Sequence, residues 1–191
     1  MSDKREKILS AVLELFLESG ADSLKVSAIA SRADVGKGTV YEYFNSKEDM
    51  FIGAVEYGLS LMEEMIREKV TVTSTFRESF FSLVDCIFDI VLKGPFISFA
   101  TNPGSMPFTG ATVARLKPIL EKSYRSFLEL IRTIIGKGAE EGILVSPPSD
   151  EYLHLILVML TNMTMQRVRT GNRELESLRN FYYDACLKLL S

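Results

Sequence analysis

Apolar residues recur every three to four positions along almost the whole chain, which is the spacing of one face of an α-helix. The first such stripe, over residues 4–19, includes Val12 and Phe16, and Gly20 is expected to end this helix. A second stripe, over residues 26–33, predicts a helix of about two turns. Similar stripes continue to the C-terminus, so the pattern predicts an all-α protein with about nine helices.

Residues 34–44 predict a tight turn followed by a very short helix with an exposed polar face. Val40 and Phe44 stand four apart and share one side of this helix. Gly36 is expected to let the turn reach a left-handed or otherwise costly backbone conformation. Two short helices joined in this way form a helix–turn–helix, whose second helix enters the major groove of DNA. The side chains predicted to meet phosphates and base edges are Lys37, Thr39, Tyr41 and Tyr43. An alternative stays open, because two tyrosines near a helix end can also simply cover the edge of a core.

This stretch resembles the DNA-binding signature of the TetR family of transcriptional regulators. The resemblance covers residues 5–55 and is carried by Ala11, Phe16, Gly20, Ile29, Ala30, Val35, Lys37, Gly38, Thr39, Val40, Tyr41, Tyr43, Phe44, Ser46, Lys47 and Glu48. It implies a DNA-binding domain of three helices over residues 1–46. The DNA contacts that it implies are Lys25, Ser27, Gly36, Lys37, Gly38, Thr39, Tyr41, Tyr43 and Lys47. The rest of the chain resembles the family only in its length and helical pattern.

Two positions depart from the family pattern. Lys25 stands where relatives usually have threonine, which removes one possible helix cap and phosphate contact, although a lysine still reaches the phosphate backbone as a point charge. Asp34 stands where the family commonly has glycine or another small residue.

The charge balance is acidic for a DNA-binding protein. The net charge is −3, and residues 1–50 contain seven Lys or Arg against nine Asp or Glu. The positive groups must therefore cluster on one face, where Lys25, Lys37 and Lys47 are expected. Glu42 either lies along the groove edge, accepts a hydrogen bond from a cytosine amino group, or pairs with a nearby lysine, and pairing is the favoured interpretation.

A long helix is predicted from residue 47 to about residue 69, with Ser46 as its N-cap and acidic residues at its positive dipole end. It links the DNA-binding domain to a helical ligand-binding and dimerisation domain over residues 47–191. Such a rigid connector is expected to convert a conformational change in the second domain into a change in the distance between two DNA-binding domains.

The second domain begins with a stripe over residues 76–90 that is apolar on nearly all sides and predicts a buried helix. The next segment, residues 95–110, is rich in proline and glycine but also in phenylalanine, and is expected to fold inward. A short separate helix is predicted over residues 111–117, because Pro118 fits the first turn of a following helix better than a helix interior. That following helix is expected to stop at Gly142.

Two terminal helices, the first capped by Ser149 and the second reached through a turn at Gly171 and Asn172, predict an antiparallel hairpin. The resemblance implies that this hairpin forms a four-helix dimer interface. The candidates for that interface are Leu157, Leu160, Thr164, Leu178, Phe181, Tyr182 and Ala185. Dimerisation also has an independent reason, because a twofold pair doubles the base contacts of a short recognition helix on a palindromic site.

Aromatic and methionine residues are plentiful in the second domain. Each alone reads as a core residue, but together with the inward-folded segment they indicate an adaptable apolar cavity. The resemblance implies an inducer pocket there, for which we expect a mostly apolar or aromatic ligand with few ionic groups. The candidate lining residues are Met62, Met65, Phe80, Phe88, Phe99, Met106, Phe108, Tyr124, Phe127, Met159 and, as a weak polar candidate, His154.

The sequence offers little for catalysis. One histidine and two separated cysteines leave few options for a His-based metal site, a Cys–His pair or a Ser–His–Asp arrangement, so no cofactor, metal or catalytic residue is predicted. Cys86 and Cys186 are interpreted as small buried apolar residues. Two other functions stay open, namely a helical small-molecule-binding enzyme that relies on carboxylates, and an interaction protein with a vestigial DNA-binding head.

No apolar run is long enough to span a bilayer, and the N-terminus lacks a signal-like apolar region, so a soluble cytoplasmic protein is expected. The favoured function is that of a homodimeric transcriptional regulator, in particular a repressor that a small molecule releases from a palindromic operator.

Overall fold

The computed structural model describes residues 2–19, 24–70, 72, 75–93, 110–144, 149–169 and 175–190. Its regular structure is entirely helical within these ranges, which confirms the predicted all-α fold. The helices in chain order are α1 (Ser2–Ser19), α2 (Val26–Arg32), α3 (Lys37–Tyr43), α4 (Lys47–Lys69), α5 (Phe76–Lys93), α6 (Gly110–Glu140), α7 (Asp150–Arg169) and α8 (Leu175–Leu190). The predicted stop at Gly20, the apolar segment of residues 95–109 and the turn at Gly171 and Asn172 lie outside the described residues.

The chain divides into two compact units, the first made of Met1–Met62 with Ser98–Glu121 and the second of Glu63–Ile97 with Lys122–Ser191. The predicted division of function after residue 46 falls inside the first unit, and it stays a prediction. No helix in the described ranges combines the length and the apolarity that crossing a membrane requires.

The first unit has a small apolar core shared by α1, α2, α3 and the first turns of α4. Phe51 of α4 is almost fully buried, and its ring centroid lies 5.1 Å from that of Phe16 in α1. A Cβ at Gly53 would come within 3.2 Å of Leu9 Cδ2 and 3.3 Å of Phe44 Cε1. The absence of a side chain at Gly53 therefore lets α4 lie close to α1 and to the end of α3. Other buried core residues here include Ile8, Val12, Leu24, Ile29, Val40, Met50 and Val55.

The second unit is organised around α5, which packs against both α7 and α8. Phe80 is fully buried, with its ring centroid 5.8 Å from that of Phe76 and 6.0 Å from that of Tyr183. An ion pair between Asp85 of α5 and Arg179 of α8 links the same two helices. These contacts make α5 the central helix of this unit, as its nearly all-apolar sequence predicts.

The start of α5 carries a capping box that the sequence analysis missed. Glu78 N donates to Thr75 Oγ1 at 3.3 Å, and Thr75 N donates to Glu78 Oε2 at 3.2 Å. Phe76 N donates to the carboxylate of Glu141 at 2.7 Å. The signal was present in the sequence, because a threonine followed three positions later by glutamate is the usual pattern of this cap.

Helix α6 contradicts the predicted break at Pro118. The separate short helix over residues 111–117 is wrong, because α6 runs without interruption from Gly110 to Glu140 with Pro118 inside it. The turns before the proline are fixed by burial, since Thr112 and Leu116 have no exposed surface. These tertiary contacts outweigh the single helical hydrogen bond that a proline removes.

The predicted stop of this helix at Gly142 is confirmed. Gly142 adopts a φ of +69°, and the backbone N–H groups of Ile143 and Leu144 donate to the carbonyl of Gly138 at 2.8 and 3.0 Å. Glycine takes such a positive φ without the steric cost that a side chain would add, and the two bonds satisfy a carbonyl in the last turn of the helix.

Candidate nucleic-acid interface

The turn between α2 and α3 holds its strained residue at Asp34, not at Gly36. Asp34 has a φ of +54°, whereas Gly36 has an extended backbone with φ −70° and ψ 149°. The prediction that Gly36 adopts the costly conformation is therefore wrong, because the residue that adopts it lies two positions earlier. Aspartate tolerates the left-handed region better than most side chains, which accounts for its presence where the family pattern favours glycine. Val35 N donates to the carbonyl of Ala30 at 3.0 Å and closes the turn onto α2.

Helix α3 is anchored to the unit by two apolar side chains. Val40 has no exposed surface, and Phe44, which ends the helix, is 5% exposed. Phe44 N donates to the carbonyl of Val40 at 3.1 Å. The guanidinium of Arg5 lies over the Phe44 ring, with its carbon atom 5.7 Å from the centroid. Because these anchors lie on one side, the opposite side of α3 is left at the surface.

The residues predicted to contact DNA all lie at the surface or close to it. Tyr41 is 59% exposed, which is unusual for so large a side chain. Thr39 and Tyr43 are half-buried, so they flank the surface face. The remaining predicted contacts are exposed, namely Lys25, Ser27, Gly36, Lys37, Gly38 and Lys47.

The starts of α2 and α4 present the other predicted contacts. Lys25 is the residue before α2 and makes no side-chain cap there, in line with the cap expected to be lost. Ser46 caps α4, because Asp49 N donates to Ser46 Oγ at 3.0 Å, and this confirms its predicted role. The cap fixes the first turn of α4, which carries Lys47.

Several acidic side chains of the first unit are occupied by internal partners. Arg32 contacts Glu18 at 2.8 Å and Glu14 at 3.1 Å, and its hydrogen bond lowers the pKa of Glu18. At the start of α4, the hydroxyl of Thr112 donates to Glu48 at 2.8 Å. Arg115 donates to Asp49 at 2.8 Å. Of these partners, only Arg115 adds a positive charge from outside residues 1–50, so the acidic excess is reduced at Asp49 alone.

Glu42 behaves differently from these carboxylates. It lies exposed in the middle of α3, and within the part of the chain that the structure describes it forms no hydrogen bond or ion pair. The favoured interpretation, a pair with a nearby lysine, is therefore wrong. The reason is geometric, because the lysines closest in sequence stand five positions away, which does not place them beside Glu42 on a helical surface.

The candidate ligand residues of the sequence analysis fall into four groups. Phe80 and Phe88 are buried, whereas Met62, Met65, Phe127 and Met159 are half-buried. Tyr124 and His154 lie exposed and hydrogen-bond to each other through the phenol oxygen and Nδ1. The other three candidates, Phe99, Met106 and Phe108, lie outside the described residues.

Ser123 is a polar residue that the sequence analysis missed. Its side chain is 6% exposed, and its hydroxyl oxygen has no hydrogen-bond partner among the described residues. A buried hydroxyl normally finds a partner, so Ser123 is an exception within the part of the chain that the structure describes. The signal in the sequence was a serine on the apolar stripe of α6, three positions after Leu120 and four before Phe127.

Most candidate dimer contacts are already covered by the chain itself. Leu160, Thr164, Leu178 and Tyr182 have no exposed surface, and the hydroxyls of Thr164 and Tyr182 lie 2.9 Å apart. Of the other three, Leu157 is nearly buried, Ala185 is half-buried, and Phe181 of α8 is 41% exposed. The larger exposed apolar surface of α7 comes from residues that the sequence analysis left out, namely Tyr152, Leu155 and Val158.

The two cysteines are buried, as predicted. Burial raises the pKa of the Cys186 thiol to about 12, so this thiol stays protonated at neutral pH and behaves as a small apolar group. No group of three or more His, Cys, Asp or Glu side chains able to hold a metal ion occurs within the described ranges.

Several known regulators of transcription resemble the chain. The family model for bacterial regulatory proteins of the tetR family matches residues 8–54, which include α2, α3 and the start of α4. The uncharacterized HTH-type transcriptional regulator YuxN of Bacillus subtilis is 28% identical over 141 residues. That match covers 73% of this chain and 48% of YuxN, so the chain spans about half the length of this relative.

Two further similarities extend over most of the chain. The fatty acid metabolism regulator protein of Bacillus subtilis is 24% identical over 145 residues, which cover 74% of this chain and 73% of that protein. The structure of the transcriptional regulator FadR from Bacillus subtilis in complex with stearoyl-CoA superposes with a TM-score of 0.72. It covers 95% of this chain and 96% of FadR at 20% identity, and so supports the fold. The relatives are regulators of transcription, and together with the helix–turn–helix of α2 and α3 the family match shows that residues 8–54 form the N-terminal domain of the bacterial regulatory proteins of the tetR family.

Proposed function

We propose that the protein binds operator DNA through the exposed face of α3 and the first turns of α2 and α4. The observation that carries this proposal is the combination of a seven-residue helix anchored by Val40 and Phe44 with an exposed side that holds Lys37 and Tyr41. An ammonium group and a phenol hydroxyl are suitable partners for phosphates, and a helix of this length fits the major groove.

The regulator acts as a homodimer on a palindromic operator. A single seven-residue helix makes too few base contacts for tight specific binding, and a twofold pair doubles them. The surface that supports self-association is the exposed apolar stripe of Tyr152, Leu155 and Val158 on α7, together with Phe181 on α8. The three α7 residues are spaced by three, so they lie along one side of that helix. Burying such a stripe against a second copy removes it from water.

Replacing Tyr41 or Lys47 with alanine is expected to weaken operator binding by about 1–3 kcal/mol each, which is roughly tenfold to a hundredfold in Kd. Both side chains are exposed, so the fold should be unaffected. Fluorescence anisotropy with an operator obtained by random-site selection measures the change. Lys122→Ala, an exposed lysine of α6, is the matched control and should bind as the wild type does. Unchanged affinity in both test variants would mean that the DNA-binding face lies elsewhere.

The second unit binds a mostly apolar small molecule that releases the protein from DNA, so that the protein acts as a repressor. The support is the apolar interior of this unit and the fold shared with a regulator whose structure contains stearoyl-CoA. A long-chain acyl thioester of coenzyme A carries an apolar acyl chain, which suits an apolar interior, whereas its phosphate-bearing coenzyme A group would stay in contact with water. Stearoyl-CoA is therefore the first probe to test.

Stearoyl-CoA and operator DNA are expected to weaken each other's binding by a common factor, of about 5 to 150-fold, because such coupling is reciprocal. Isothermal titration with and without operator measures this factor. The hydrogen bonds from Thr112 and Arg115 of α6 to the first turn of α4 are the contacts through which the coupling would pass. Thr112→Val with Arg115→Ala should reduce the factor while leaving ligand affinity in the absence of DNA unchanged. No binding of stearoyl-CoA would reject this ligand class, and equal affinity with and without operator would reject the release mechanism.

A further inference from the structure

The outermost point of α3 is occupied by Gly38 and Glu42. Successive residues of an α-helix are rotated by about 100°, so Gly38 and Glu42 lie roughly 160° and 200° from Val40. Val40 is the fully buried anchor of α3, and Gly38 and Glu42 are therefore on the opposite side of the helix. A Cβ added at Gly38 would meet no atom within 4 Å. The space beside Gly38 is thus open, and the exposed carboxylate of Glu42 lies on the same side of the helix.

Within the described part of the chain, no positively charged side chain pairs with the carboxylate of Glu42. Glu14 and Glu18 are paired with Arg32, and Glu48 and Asp49 are held by α6, but Glu42 has no such partner. In the major groove it would stand between two rows of phosphates, and like charges repel. Glu42 therefore lowers the affinity of α3 for DNA in general, unless the groove supplies a hydrogen-bond donor to it.

The major groove supplies two kinds of donor, the N4 amino group of cytosine and the N6 amino group of adenine. Adenine presents its N7 acceptor directly beside N6, which opposes a carboxylate because a carboxylate has no hydrogen to donate. Cytosine offers its amino group without an acceptor on the same base edge. Cytosine is accordingly the base that a glutamate at this position accepts best, and guanine and thymine offer it only acceptors in the groove.

We propose that Glu42 is the base-reading residue of α3 and selects a cytosine in each half-site by accepting a hydrogen bond from its N4 amino group. The proposal rests on the proposed DNA-binding function and specifies which side chain gives that function its sequence preference. The lysines and Tyr41 then supply affinity through phosphates, which carry no sequence information, while Glu42 supplies discrimination.

Random-site selection with the full-length wild type, Glu42→Gln and Glu42→Ala tests this role. The wild type should enrich one C·G pair in each half-site, about tenfold to a hundredfold over the other pairs. Glu42→Gln should shift that position toward adenine, because a glutamine side chain donates to N7 and accepts from N6. Glu42→Ala should lose preference at that position alone. Both variants should bind non-specific DNA more tightly than the wild type, because each removes a negative charge.

The controls separate the failure of this assignment from the failure of DNA binding itself. Lys47→Ala should lower affinity for all sequences without changing the selected base at any position. Circular dichroism of the exposed-site variants should match the wild type. If the wild type enriches a site and Glu42→Gln enriches the same site, the assignment of Glu42 is overturned while operator binding stands. If the wild type enriches no site, the DNA-binding proposal is overturned and this assignment with it.

Discussion

Replacing Phe80 with alanine is expected to lower the free energy of unfolding by about 3–5 kcal/mol. The side chain has no exposed surface, and its ring packs against those of Phe76 and Tyr183. Truncation removes the transfer free energy of the ring and leaves a cavity that the aromatic neighbours fill only in part. Urea denaturation followed by circular dichroism measures the change.

The same substitution decides between the two roles that the sequence left open for Phe80, a core residue or a pocket wall. Phe80→Leu serves as the control, because it keeps an apolar side chain at this position and should cost clearly less than Phe80→Ala. A loss below about 1 kcal/mol in Phe80→Ala, together with altered stearoyl-CoA affinity, would mean that the ring faces a cavity. The packing around Phe80 favours the role of a core residue, and therefore the large loss of stability.

Two glycines near the end of α6 are expected to respond to alanine in opposite ways. A Cβ at Gly138 would lie 2.7 Å from Leu144 Cδ1, 2.9 Å from Leu144 Cγ and 3.2 Å from Phe76 Cδ1. Gly138→Ala should therefore destabilise the protein by about 1–3 kcal/mol through overpacking. A Cβ at Gly136 would meet nothing within 4 Å. Gly136→Ala should instead stabilise it by about 0.5–1 kcal/mol, because alanine is the better helix former.

Thermal unfolding of the two variants side by side tests this pair. Since the two residues are two positions apart on one helix, differences in helix propensity cancel, and the contrast reports only the space around each Cβ. Destabilisation of both variants to the same extent would show that helix α6 and Leu144 are not packed as described. A stable Gly138→Ala would show that the Leu144 side chain moves aside at little cost.

The fold class and the helix–turn–helix followed from the sequence because they depend on local signals. The apolar period, the fixed spacing from Ile29 to Glu48, the Ser46 cap and the Gly142 stop each involve residues that are close along the chain. The family resemblance rested on the same short segment and is confirmed. Signals of this kind need no knowledge of which helices meet.

The failed predictions depend on contacts between residues that are distant in sequence. Pro118 lies inside α6 because the preceding turns are buried, and nothing within the helix sequence reports that burial. The acidic excess of residues 1–50 is offset in part by Arg115, which stands 66 positions after its partner Asp49. Helices α7 and α8 have apolar residues on several sides, so the sequence pattern alone did not distinguish the buried Tyr182 from the exposed Phe181.

Pro118 gives α6 an uneven stiffness along its 31 residues. Its nitrogen carries no hydrogen, so the carbonyl of Ala114 has no helical partner one turn earlier, and bending at this point costs less than elsewhere. The polar links to α4, made by Thr112 and Arg115, lie just before this joint. Local bending of α6 is therefore easiest directly after the two residues that hold the first turn of α4.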